Sequence, residues 1–156
     1  MARRLEEAEA LIQLTAQESE ACRRPDAIPG IGPVTATALI AAIGNGAAFG
    51  KGREFAAWLG LAPREHSTGG RQKLLGISKR GNAYLRRLFV QGARAVLQQS
   101  SKQSSGLSAW LKQLTVRTHR NVVCVASANK LARIAWAVLA TGQAYRPPAP
   151  TAVASA

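Results

Sequence analysis

The sequence predicts an all-α fold, a compact helical domain, on three observations. Apolar residues recur three and four positions apart over several long segments. Aromatic residues make up only 5% of the chain while alanine is abundant, a composition that suits closely packed helices. Proline and glycine cluster between the periodic segments, at 25–33, 44–52 and 60–81. The length of 156 residues suits one domain with a helical extension. A hydrophobic content of 47% is enough for a core, which excludes a disordered basic tail.

Residues 2–22 read as a helix, with Leu5, Ala8, Leu11, Ile12 and Leu14 on one stripe and Glu6, Glu7 and Glu9 off it. It begins abruptly and without a cap, as the end of a longer helix or coiled coil would, and Pro25 stops it. Residues 28–33, Ile-Pro-Gly-Ile-Gly-Pro, form a glycine-bracketed turn feeding a helix that starts near Pro33, a residue suited to a first helical turn. The loop 44–52 ends that helix, and a short one follows over 53–60 with Phe55, Ala56, Trp58 and Leu59 inward. Residues 61–78 are irregular and read either as a basic loop or as a short, poorly ordered hairpin. A helix over 82–99 carries Leu85, Leu88, Phe89, Gly92 and Val96 on its apolar face. A polar linker over 100–106 precedes helices at 107–118 and 121–141. The predicted organisation is a linker helix over 1–24, a domain over 25–146 and a Pro-rich disordered tail over 147–156. Lys130 and Arg133 interrupt the last apolar stretch, so no membrane span is predicted.

Charge is distributed unevenly. All 8 acids lie in residues 1–65 beside 7 bases, a net of −1, whereas residues 66–156 hold 14 bases and no acid. Those 91 residues cannot build a Mg²⁺ or Ca²⁺ site of their own, nor run paired-carboxylate chemistry. Such a field favours a polyanion, with nucleic acid ahead of a membrane surface. Cys22 and Cys124 match no metal spacing and read as free buried thiols. His66 and His119 are the only histidines, so no metal site is predicted.

Three constellations carry candidate chemistry. Gly30 and Gly32 allow close approach of the backbone, and the amides of the following helix start suit phosphate; an unliganded tight turn is the plain alternative. Arg80, Arg87 and Arg94 recur every seven residues, as do Lys79 and Arg86, so each set lines up along one helix face. With no acid nearby to neutralise them, these guanidinium forks suit phosphates better than they suit a merely solvated face. The stretch His66-Ser67-Thr68-Gly69-Gly70 places two hydroxyls beside Arg71 and Lys73. A serine there can attack a phosphodiester if Arg71, Lys73 and Lys79 stabilise the added charge and His66 takes the proton. Taken alone, Ser-Thr-Gly-Gly is also an ordinary turn composition.

The order of motifs is more specific than any one of them. Ile28-Pro-Gly-Ile-Gly-Pro33, Phe55-Ala-Ala-Trp-Leu-Gly-Leu-Ala-Pro63, His66-Ser-Thr-Gly-Gly70, Ile77-Ser-Lys-Arg-Gly-Asn-Ala-Tyr-Leu-Arg-Arg87 and Asn129-Lys-Leu-Ala-Arg-Ile-Ala-Trp136 together resemble one family. It is the C-terminal domain of the DEDD-type bacterial insertion-sequence transposases, relatives of the pilin-gene invertase, over residues 25–146. The resemblance implies a helix-hairpin-helix-like start, a serine that links covalently to DNA, and action as a homo-oligomer on DNA with a structured guide RNA. It also implies a bacterial cytoplasmic, nucleoid-associated setting. The serine carried over is Ser67: counting back from Ser78-Lys79 favours it, although counting forward from Gly60-Leu-Ala-Pro63 favours Thr68. Gly30, Gly32, Arg71, Lys73, Lys79, Arg80, Arg86, Arg87 and Arg94 are the expected nucleic-acid contacts.

The family's RNase-H-like domain, with its four acids and Mg²⁺, has no counterpart in this sequence. The expectation is therefore a chain with no cofactor of its own that binds nucleic acid but does not cut alone. The rival expectations are a stand-alone, non-catalytic DNA- or RNA-binding module and a structural protein of ribosomal type.

Overall fold

A computed structural model describes residues 1–102 and 105–148. The element order is α1 (Ala2–Glu18), α2 (Glu20–Asp26), α3 (Pro33–Ile43), α4 (Gly52–Trp58), β1 (Pro63–Thr68), β2 (Arg71–Ile77), α5 (Ala83–Gln99), α6 (Gly106–Arg117) and α7 (Arg120–Thr141). The expected all-α class is therefore amended: the described residues are mostly helical, with one two-stranded antiparallel sheet.

Helix α7 is the centre of the core. Val123, Cys124, Ala128, Leu131, Ala132, Ala135, Val138 and Leu139 are buried along it, at spacings of three and four. Its alanines let α5 and α4 lie close, and these are its main partners. By length and composition α7 could cross a membrane, a test that the interruption at Lys130 and Arg133 was expected to fail. Here it serves as the core helix against which α2, α4, α5 and α6 pack. Phe55 of α4 and Phe89 of α5 fill the centre, their rings edge to face with centroids 6.2 Å apart. Cys22 and Cys124 are buried free thiols, as expected.

The local chemistry sets several boundaries. Asn82 caps α5 by accepting from the Leu85 amide at 3.0 Å. Ser105 and Ser108 cap α6 reciprocally. Gly142, in the left-handed region, ends α7.

Three expectations fail locally. The first helix breaks at Ser19, whose backbone is extended, and Pro25 lies buried inside α2 instead of stopping α1. A two-turn helix loses only one internal bond to a proline near its end, and the ring fills a buried position. The apolar stripe of α1 is largely uncovered: Leu5, Leu11 and Leu14 are exposed, and only Ala16 is buried. Trp58 is 37% exposed rather than inward, because it closes the end of α4 with its ring leaning on Phe49 and Phe55. Residues 149–156 of the expected tail and 103–104 of the expected linker lie outside the described residues.

The irregular segment is a hairpin. Gly69 and Gly70, with φ of 60° and 76°, make the two-residue turn whose twist suits antiparallel strands. Ser67 pairs with Gln72 and His66 with Lys73, and the register shifts between Pro63 and Glu65. Every residue of β1 is exposed, so neither face shows the alternation that marks a strand in sequence.

Gly30 in the turn before α3 meets Gly92 of α5 backbone to backbone. A Cβ on Gly92 would collide with the Gly30 carbonyl oxygen, and one on Gly30 would sit 2.7 Å from the Gly92 oxygen. Gly92→Ala should therefore cost about 3 kcal/mol, since overpacking against backbone typically costs ~1–3 and occasionally more. Gly32→Ala, with nothing within 4 Å, should cost only a few tenths. Urea denaturation reads both, and equal midpoints for the two variants would contradict this contact.

A hairpin and an arginine row as the candidate nucleic-acid interface

The hairpin is held at its foot by backbone. The Ser78 amide donates to the Ala62 carbonyl at 2.9 Å, Lys79 to Gly60 at 3.1 Å and Asn82 to Trp58 at 3.3 Å. Gly60 and Gly81 allow this approach: a Cβ on Gly81 would collide with the Trp58 carbonyl oxygen, and one on Gly60 with Arg80. Lys79 sits at φ 56°, a left-handed conformation rare for a side chain of this kind, where the second strand turns into α5. Two side chains complete the clamp. Arg86 donates to the Leu59 carbonyl at 3.1 Å, and Asn129 of α7 donates to the Leu61 carbonyl at 3.2 Å.

Strand alternation separates the residues that the sequence groups together. Register puts Glu65, Ser67 and Gln72 on one face and His66, Thr68, Arg71 and Lys73 on the other. The Ser67 hydroxyl donates to a Glu65 carboxylate oxygen at 2.5 Å. That bond, with a second from Gln72, holds the Glu65 carboxyl below its ordinary range. The acceptor at Ser67 is thus Glu65 and not His66, a partner the sequence reading missed. Its signal was the two-residue spacing ahead of a Gly-Gly turn, which becomes legible only once the segment is known to be strand. Thr68, by contrast, shares its face with Arg71 and Lys73 and sits directly opposite Arg71.

Arg80, Arg87 and Arg94 are all exposed. Arg87 keeps its guanidinium along the helix by donating from Nε to the Ala83 carbonyl at 3.3 Å. No carboxylate pairs with any of the three; the ion pairs among the described residues are Arg3–Glu7 and Arg24–Glu20 in the first two helices. Arg86 differs from its neighbours, half-buried with one guanidinium nitrogen committed to Leu59. Lys79 and Arg80 lie at the hairpin foot, before α5 begins at Ala83, so the expected alignment along one helix face holds for Arg87 and Arg94 but does not extend to Lys79 or Arg80. Gly30 is spent on contact with α5, whereas Gly32 is open to solvent at the N-cap of α3. Among the described residues no three or more His, Cys, Asp or Glu side chains gather as a metal ion would need.

Comparison with known proteins adds to this geometry. Residues 22–109 match the family described as "Transposase IS116/IS110/IS902 family". The chain is 53% identical over 121 residues to the "Probable family 20 transposase" of Pseudomonas aeruginosa, covering 78% of this chain and 36% of that protein. It is 44% identical over 135 residues to the "Transposase for insertion sequence element IS1111A" of Coxiella burnetii, covering 86% and 37%. It is 45% identical over 141 residues to the "Transposase for insertion sequence element IS1328" of Yersinia enterocolitica, covering 90% and 42%. The chain therefore spans well under half the length of these relatives.

A carboxyl held low by hydrogen bonds keeps those bonds at pH above its unfolded value and loses them as pH falls through its folded value. Removing the first donor with Ser67→Ala should move the Glu65 midpoint upward in a carboxyl NMR titration, with His66→Ala leaving it in place. A midpoint unmoved by Ser67→Ala would refute the contact.

Proposed function

The chain belongs to the IS116/IS110/IS902 transposase family, and on that footing we propose that it is the part of a transposase that grips DNA and presents a hydroxyl for strand cleavage and rejoining. The observation that carries this reading is the run of exposed, unneutralised arginines leading away from the foot of a protruding hairpin that bears two hydroxyls. Arg87 and Arg94, about 10 Å apart along α5, would take backbone phosphates about three steps apart, with Arg80, Lys79, Arg71 and Lys73 adding charge around the hairpin. Arg86 acts chiefly by holding the hairpin foot. The turn carrying Gly32 would add a helix-hairpin-helix-like phosphate contact at the start of α3. A structured guide RNA and self-association are further partners of the same reading.

Ser67 is the proposed nucleophile. Its oxygen would bond to phosphorus as the bond from phosphorus to one strand oxygen breaks, the serine proton passing to a base and the released strand oxygen taking up a proton; Glu65 already accepts the serine's hydrogen bond. Thr68 is the second reading, favoured by its place on the cationic face with Arg71 and Lys73, where added phosphate charge would be stabilised. The described residues offer Mg²⁺ no ligand set. An acidic set for the full reaction would accordingly come from outside these residues.

Two experiments test the reading. Fluorescence anisotropy between 50 and 200 mM salt should give steeply salt-dependent binding of duplex DNA, since each neutralised phosphate contributes about 0.9 to the logarithmic slope. Replacing Arg80, Arg87 and Arg94 by alanine should flatten that slope by about 3; an unchanged slope would remove the row from the interface. Covalent protein–DNA adducts should be trapped after adding the acidic domain of a full-length relative, and the attached residue identified by mass spectrometry. Loss with Ser67→Ala and persistence with Thr68→Ala supports Ser67. The reverse supports Thr68. No adduct with the unaltered chain leaves a binding module without chemistry.

A further inference from the structure

Helix α5, which carries Arg87 and Arg94, ends at Gln99, and Ser101 lies two residues beyond it. Ser101 lines a cleft of about 380 Å³ bounded by the end of α5, by α6 and by the start of α7. Leu97 and Val116 form its apolar part, and Val116 is 88% exposed, although valine more often lies inside. Lys112 and Arg120 stand on its rim, both exposed. Arg120 is also the first residue of α7, so the helix dipole adds to its charge. No acid occurs anywhere in residues 66–156 to neutralise either cation.

The hydroxyls say what kind of group fits. Ser100 donates its proton to the Leu97 carbonyl at 2.8 Å, and Thr115 donates to Leu111 at 2.7 Å. Each can then only accept another bond, which suits the N–H groups of a base and not the oxygens of a phosphate. The cations would take the phosphate, and the apolar surface with its acceptors would take the nucleoside. The apolar surface can cover only the face of a base, and in a duplex that face is buried in the stack, so the occupant must be unpaired.

We propose that this cleft seats an unpaired nucleotide of the DNA strand held along α5. The inference rests on the nucleic-acid reading above. Helix α5 has 17 residues, about 25 Å at 1.5 Å per residue. The cleft and the hairpin thus lie roughly seven base steps apart at ~3.4 Å per step. The chain would then hold a junction between duplex and single strand, with the hairpin at one end and the cleft at the other. Lys112 and Arg120, which the sequence reading did not single out, become ligands in this arrangement.

The test uses the 156-residue chain, a blunt fluorescent DNA duplex and the same duplex with a five-nucleotide single-stranded tail. Anisotropy should show the tailed duplex binding about tenfold more tightly. Lys112→Gln with Arg120→Gln should abolish that advantage while leaving the blunt-duplex affinity within about twofold. Val116→Ser should reduce the advantage without changing its salt slope, and circular dichroism would establish that each variant is folded. A tail bearing 5-iododeoxyuridine should photocrosslink to the α6 peptide that contains Val116. An equal affinity for both duplexes in the unaltered chain, or an advantage that survives the double glutamine variant, overturns the cleft proposal and leaves the arginine row standing. Binding to neither duplex overturns both.

Discussion

The candidate site depends on one constraint, the direct contact of backbone with backbone at the hairpin foot. An isolated two-stranded hairpin is at best marginally stable by itself. This one survives because residues 58–62 and 78–82 are tied together by amide-to-carbonyl bonds, and because Gly60 and Gly81 lack the Cβ that would hold the segments apart. The same ties join the end of α4 to the start of α5. Phe55 and Phe89 then meet in the core within a few residues of the foot, so hydrophobic packing and hairpin position are set together. Asn129 connects this foot to α7, the helix on which most of the others pack.

From that constraint follows the division of labour among the cations. Charges close to the foot are drawn into structure: Arg86 turns back to Leu59, and Lys79 adopts a left-handed backbone to redirect the chain. Arg80, at the foot itself, and Arg87 and Arg94, along α5, make no ion pair among the described residues. Arg80, Arg87 and Arg94 have no acidic neighbour because residues 66–156 contain none, and the same absence leaves Lys112 and Arg120 unneutralised at the far end of α5. A surface of this kind repels itself, and a polyanion relieves that repulsion by releasing its own counterions.

The hairpin also sorts chemistry by face. A carboxylate beside a serine hydroxyl can take its proton but repels an incoming phosphate, whereas a threonine among cations attracts phosphate without a base beside it. The three relatives named above are each more than twice as long as the segment that matches this chain.

By itself the sequence determined most of the helices, because their apolar spacing and the cap at Asn82 are local properties, but not the break at Ser19 or the place of Pro25 inside α2. It also determined the charge asymmetry, the spacing of the arginine row and the resemblance to a transposase family. Tertiary structure decided the rest. Whether residues 61–78 form a loop or a hairpin was open in the sequence, because the first strand is exposed on both faces and carries no apolar alternation to read. The pairing of Ser67 with Glu65 needed the strand register, and the separation of Thr68 from Ser67 needed it too. The role of Arg86 needed a carbonyl 27 residues away, and that of Gly92 a glycine on a different element. These are contacts between segments distant in the chain, and no local pattern records which distant segment a residue will meet.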